Sequence, residues 1–317
     1  MADIYRNSYL TVAATRADSV HGGCFTTPTD SVEVGPVMMR QMHHFSTGCP
    51  VLSQAWAYQE RMLAPRVLHF GPQELIWDCR EKRTCECGLA GYGLHGVRKS
   101  DFHDTIYPSQ SVPSGTPEQV WRQMVVQYSG LRLTYSTDRL PAFSGMAQEM
   151  LRRRKKEYLA GLWGDTLIAD MRWYWDDSRE EPPLLPRSPQ RSPTWSWASI
   201  DGPVTYHSHL RYAFQSDMTP FDVVLYAEVL DATCSLATPS PTGPVNGGLV
   251  RLSCYLLPAI FKDGDIRLSS SPMGLRWRSD GRCEMEEQGE YFVIPMMHVL
   301  GIFYGLVVKY HDQPQER

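Results

Sequence analysis

The run from Asp176 to Pro193 does most to limit how this chain can fold, because it holds Pro182, Pro183, Pro186, Pro189 and Pro193. Each proline fixes its own φ and removes a backbone N–H, so neither a helix interior nor a central strand can cross the segment. It reads as a boundary or a surface excursion. Before it the apolar pattern is largely helical; after it the pattern is largely that of strands. At 317 residues the chain is long enough to bury two cores. The expected class is α/β (α+β), an α-rich front packed against an antiparallel β-rich back. The expected divisions are 1–90, a loop and helical region over 91–175, a linker over 176–193, and a β-rich region over 194–317.

Met1, Ile4 and Tyr5 are spaced like the last turn of an amphipathic helix. Tyr9 to Thr15 (YLTVAAT) is apolar without alternation, which predicts a strand covered on both faces. Such a strand needs neighbours, and one helical turn has little stability alone, so a preceding segment is expected to be missing. Ser53 is a candidate N-cap for a helix carrying Trp56, Gln59 and Leu63 along one side and stopped by Pro65. Strands are expected at Arg66 to Phe70 and Glu74 to Cys79, joined at Gly71-Pro72. Glu81 to Gly115 lacks periodicity and reads as a long loop. Thr116-Pro117-Glu118 is a capped helix start, followed by a stripe of Val120, Trp121, Met124, Val125 and Tyr128. A second helix is expected over Ala142 to Leu162. Strands follow at Thr194 to Ile200, Val223 to Ala232, Leu249 to Leu257, Tyr291 to Met297 and Gly301 to Lys309, with Pro239 to Gly248 as a connection.

The 35 acidic residues exceed the 31 basic ones, so net charge gives no reason to expect nucleic acid as a partner. The best apolar run, Val299 to Val308, is about half the roughly 20 residues of a membrane-spanning helix. Asp3 and Arg6 sit where the apolar part of a signal peptide would be. A cytoplasmic protein is expected, in which the 8 cysteines stay reduced.

Ala55 to Cys79, AWAYQERMLAPRVLHFGPQELIWDC, closely resembles the signature of the fungal heterokaryon-incompatibility (HET) domain. That signature is a helix reading AW-x-x-QER-x-L, then R-x-LHFG, then a W-[ED]-C strand. The matching positions are Trp56, Gln59, Glu60, Arg61, Leu63, Arg66, Leu68, His69, Phe70, Trp77 and Cys79; Gln54 stands where the family usually has arginine. MADIYRNSYLTVAAT resembles the end of the family's first conserved block. DRLPAFSGMA (Asp138 to Ala147), YLAGLW (Tyr158 to Trp163) and TWSWASID (Thr194 to Asp201, with Trp195 and Trp197) resemble later segments, in the expected order. The resemblance implies a truncated HET domain lacking its N-terminal strand and acidic helix. It implies a role in allorecognition and programmed cell death, with self-association or protein partners. A distant kinship proposed between HET and TIR domains, some of which cleave NAD, implies NAD as a substrate in the alternative. The catalytic carboxylate would then lie upstream of Met1, leaving Glu60 as the nearest substitute here, and the other alternative is an inactive remnant.

Glu60, Arg61, Arg66 and His69 form the densest polar group among large apolar side chains. They read either as a ligand site or as a paired network locking helix to strand, which is the better reading because buried charges need partners wherever they lie. Cys79, Cys85 and Cys87 invite a zinc reading completed by His69 or His95, but C-x5-C-x-C is not a usual zinc spacing, and no cofactor is expected. GYGLHG (Gly91 to Gly96) satisfies G-x-G-x-x-G without the strand and helix a dinucleotide site needs. RRRKK (Arg152 to Lys156) reads as a solvated helical face. No hydrolase, metalloprotease, phosphate-loop or kinase signature is present, and His43-His44 has no partner spacing.

Overall fold

The computed structural model describes residues 1–19, 21–25, 31–40, 49–88, 97–108, 115–176, 191–206, 223–262, 265–270, 274–275, 289–299 and 302–310. The chain is mixed α and β with a β-rich C-terminal region, and it divides into two compact units, Met1–Lys155 and Lys156–Arg317. Most of the proline run (177–190), His43-His44 and GYGLHG with His95 lie outside the described residues. No described helix is long and apolar enough to cross a membrane.

The first unit opens with α1 (Ala2–Arg6) and β1 (Thr11–Ala13), followed by the hairpin β2 (Ser31–Val34) and β3 (Val37–Arg40). The α2 helix (Ala55–Leu63) is capped one residue later than expected: Ser53 closes a short 3-10 turn and Gln54 stands at the N-cap. It buries Ala55, Tyr58, Gln59, Met62 and Leu63, so the buried stripe runs one residue off Trp56. The strands β4 (Arg66–Phe70) and β5 (Leu75–Cys79) form the expected hairpin, with Leu68 opposite Trp77. The long loop expected after them is corrected in two places, by β6 (Arg83–Cys85) and by α3 (Lys99–Ile106). Phe102 and Ile106 bury there while the polar Lys99 faces the same way, which masks the helical period. In the sheet order β1–β4–β5–β6, β1 pairs parallel to β4. It lies at a sheet edge with Val12 54% exposed, so the expectation of a strand covered on both faces is not met.

The capped helix is present as α4 (Pro117–Ser129), with the Thr116 hydroxyl accepting the Gln119 N–H at 3.4 Å. Its apolar stripe packs on Phe143: ring centroids lie 4.8 Å away for Trp121 and 4.5 Å for Tyr128. The α5 helix (Ser144–Arg154) is shorter than expected, because Lys155 turns left-handed at its C-cap. Met146 and Met150 fill the remaining core.

In the second unit YLAGLW is a two-residue hairpin, β7 (Tyr158–Leu159) and β8 (Leu162–Trp163), and not the end of a helix. Ala160 and Gly161 both take positive φ, 46° and 100°, as a tight hairpin of this hand requires. Leu159, Leu162 and Trp163 carry a helix-like spacing, which explains the misreading. A short α6 (Leu167–Asp170) and the pair β9 (Tyr174–Trp175) and β10 (Val204–Thr205) follow. Between them TWSWAS is a turn, with a 3-10 helix at Trp197–Ser199 and Ser196 capping Ala198, where a strand was expected. Beyond lie β11 (Val223–Leu225), the ribbon of β12 (Glu228–Leu236) with β13 (Val245–Ser253), β14 (Leu257–Lys262), β15 (Asp265–Leu268), β16 (Gly274–Leu275), β17 (Tyr291–Val299) and β18 (Ile302–Lys309). β17 is the hub, pairing antiparallel with β18, β11 and β14. Its register shifts after Pro295, where a residue without an N–H cannot donate to the ladder.

Candidate functional site

The polar residues of α2 diverge and take different partners. Trp56 Nε1 donates to Asp138 Oδ2 at 3.4 Å. The buried Gln59 accepts the Gly145 N–H at 2.6 Å. Glu60 lies beside the Tyr5 hydroxyl; burial raises the Glu60 carboxyl pKa and that hydroxyl opposes the rise. Burial and the same carboxylate push Tyr5 up to about 12. Arg61 lies 5.5 Å from the Tyr58 ring centroid. Its charge is felt by Asp78, Lys99 and His69.

Behind α2 lies a buried charged cluster. Thr15 Oγ1 is 2.9 Å from His69 Nδ1, and His69 Nε2 is 3.9 Å from Asp78 Oδ2. Arg83 Nη2 donates to the same Asp78 oxygen at 3.0 Å, and Lys99 Nζ donates to the Asp78 backbone carbonyl at 3.0 Å. Burial alone would raise the Asp78 carboxyl, but Arg83, Lys99 and Arg61 outweigh it and hold it low. Lys99 falls to about 8, through burial first, with Arg61 and Arg83 adding to the fall and Asp78 opposing it. His69 falls to about 3, through burial first and then Arg61, with Asp78 opposing.

The sequence hydroxyl, imidazole, carboxylate has the order of an acyl-transfer triad. The environment does not suit that chemistry. Thr15 is 0% exposed and His69 1%, so neither presents a surface to a substrate, and an imidazole held near 3 is far from the neutral range useful to a general base. The cluster is a buried polar joint between β4, β5, β6 and α3. Sequence reading missed Arg83 and Lys99; the spacing of Lys99, Phe102 and Ile106 at i, i+3 and i+7 was the available signal.

Arg66 stays at the surface, donating to the Tyr9 carbonyl at 3.3 Å with its guanidinium 5.1 Å from the Tyr9 ring centroid. Trp77 sits opposite Thr84. A surface depression lined by the charged Arg6, Arg80 and Glu149 together with Met62, Phe102 and Ile106 contains none of the polar α2 side chains just named. In the second unit Trp197 is fully buried and donates to the Gly161 carbonyl at 3.1 Å, while Ser196 donates to the Ala160 carbonyl at 2.5 Å. The Trp195 carbonyl accepts from Trp173 Nε1 at 2.9 Å.

The cysteines separate. Cys79 is opposite Arg66, and its Sγ accepts the Lys82 N–H at 3.5 Å. Cys85 and Cys87 instead lie together, Sγ to Sγ 2.8 Å, with Glu74 beside them. Glu74 is a residue the sequence reading did not connect to them, because β5 and β6 must pair before it comes near. No family model, curated protein or solved structure matches this chain.

Proposed function

We propose that this chain is a HET-domain-like protein of fungal allorecognition, which signals programmed cell death in the cytoplasm by associating with itself or with another protein. One observation carries the reading: the segments that resemble the HET family are each other's contact partners. Tyr5 of the first segment meets Glu60 of the second. Trp56 and Gln59 of the second meet Asp138 and Gly145 of the third. Ala160 and Gly161 of the fourth meet Ser196 and Trp197 of the fifth. Residues that matter because they hold one another belong to a domain working through its surface.

The alternative, an NAD-cleaving hydrolase, has Glu60 as its nominee in this chain, and that carboxyl is already coupled to the Tyr5 hydroxyl. The deciding experiment expresses the chain from an inducible promoter in a filamentous fungus and follows viability, co-precipitation of two tagged copies, and cellular NAD. Death with association at constant NAD supports the proposal. NAD loss that Glu60→Gln abolishes moves the assignment to the hydrolase, and viable cells without association reject the signalling role.

A further inference from the structure

We propose that Glu74, Cys85 and Cys87 bind a divalent cation of the zinc class, two thiolates and one carboxylate filling three of four tetrahedral positions. This inference is independent of the signalling role. The donor atoms of the three side chains all lie within 4.8 Å of one another. The β-ladder sets Cys85 opposite Ile76, and the turn that follows is closed by the Gly88 N–H on the Cys85 carbonyl at 3.0 Å, with Gly88 at φ +77°. That turn carries Cys87 back over Glu74. The Cys87 N–H donates to Glu74 Oε2 at 3.0 Å, which orients the carboxylate so that Oε1 faces Cys87 Sγ at 3.6 Å. Glu86, between the cysteines, points elsewhere and accepts the Leu75 N–H at 2.9 Å.

The chemistry of the set is selective. Two sulfurs favour zinc over magnesium or calcium, and Glu74 is only 7% exposed. Zinc bonds of about 2.3 Å to sulfur and about 2.1 Å to oxygen put tetrahedral neighbours roughly 3.6–3.8 Å apart. The Cys87 to Glu74 separation already has that value. The two sulfurs, at 2.8 Å, must part by about 1 Å, which side-chain rotation in two half-buried cysteines supplies. Binding releases both thiol protons to solvent, so affinity falls as pH falls. The fourth position is left to water or to an outside ligand. Cys79 stays out of the set: it is three residues further along β5 from Ile76, about 10 Å away. His69 stays out because its Nδ1 faces Thr15 and its Nε2 faces Asp78.

The test is a zinc titration of the full chain, reduced and chelator-stripped, against a chromophoric chelator. One tightly held equivalent is expected. Cys85→Ser and Cys87→Ser should each weaken binding by 10- to 100-fold or more and Glu74→Gln by about 10-fold, while Cys79→Ser changes nothing. Cobalt in place of zinc should show sulfur-to-metal charge-transfer absorption that Cys87→Ser removes. A wild-type chain that takes up no zinc overturns the site. So does binding indifferent to Cys85 and Cys87, or a Cys85–Cys87 disulfide that yields no zinc-binding form on reduction.

Discussion

Gln59 holds the first turn of α5 from far along the chain: its Oε1 accepts the Gly145 N–H at 2.6 Å, across 86 positions. A helix start leaves its first N–H groups without intrahelical partners, and here a buried side-chain amide from another helix satisfies one of them.

Gly145→Ala is expected to destabilise the first unit. An added Cβ would lie 2.5 Å from Gln59 Oε1 and 2.8 Å from Ala2 Cβ, a clash worth about 1–3 kcal/mol that outweighs the roughly 1 kcal/mol gained in helix propensity. Gln59→Ala alone should cost about 1–3 kcal/mol by orphaning the N–H. In urea unfolding the double variant should lose clearly less than the sum of the two, and strict additivity would reject the contact.

Acid should weaken the fold before ordinary carboxylates titrate. The folded pKa of His69 is depressed to about 3 from an ordinary 6.5, so between those values the unfolded chain binds a proton that the folded chain refuses. Its contribution is complete above about pH 6.5 and falls by up to roughly tenfold in the folding equilibrium per pH unit toward 3. Asp78, also held low, adds a loss at lower pH still. Urea midpoints at pH 7 and pH 5 should differ in the wild type and differ less in His69→Gln; equal differences in both chains would remove His69 as the cause.

The turn of the Tyr158–Trp163 hairpin allows two substitutions of opposite kind. Gly161→Ala forces a side chain into φ +100° with its Cβ 2.6 Å from Trp197 Nε1, and a loss of about 2 kcal/mol or more is expected. Ala160→Gly removes a side chain from φ 46° and should stay within about 1 kcal/mol of the wild type. Thermal melts followed by tryptophan fluorescence distinguish them.

Glu60→Gln keeps a hydrogen-bonding group for Tyr5 and should change stability by no more than about 1 kcal/mol. Tyr5→Phe takes the hydroxyl from a half-buried carboxylate and should cost more, about 1–2 kcal/mol. Circular dichroism under urea orders the two, and the reverse order would show that the carboxylate has another principal partner.

Elements that announce themselves locally were legible. Thr116, Pro117 and the stripe from Val120 to Tyr128 spell out α4, cap included, and Gly71-Pro72 marks the β4–β5 hairpin. Other elements misled for local reasons as well. Leu159, Leu162 and Trp163 mimic helical spacing across a hairpin, and alternating Trp-Ser-Trp-Ala mimics a strand where Ser196 caps a turn. Of the candidate site, the sequence marked Glu60, Arg61 and His69 as charges needing partners. It did not show that Tyr5 answers Glu60, that Asp78 answers the cations and is held by Arg83 and Lys99, nor that Glu74 meets Cys85 and Cys87.

The sequence by itself determined the mixed α and β class, the β-rich character of the C-terminal region, the capped start of α4 and the turn between β4 and β5. Those depend on period, caps and punctuation, which act over a few neighbouring residues. Tertiary structure alone decided that His69 is sealed and neutral, that Gln59 caps a helix beginning more than eighty positions away, and that one cysteine pair gains a carboxylate while Cys79 does not. A buried polar group is satisfied by whichever partner the fold brings within hydrogen-bond reach, and distance in space is not written in the spacing of residues along the chain.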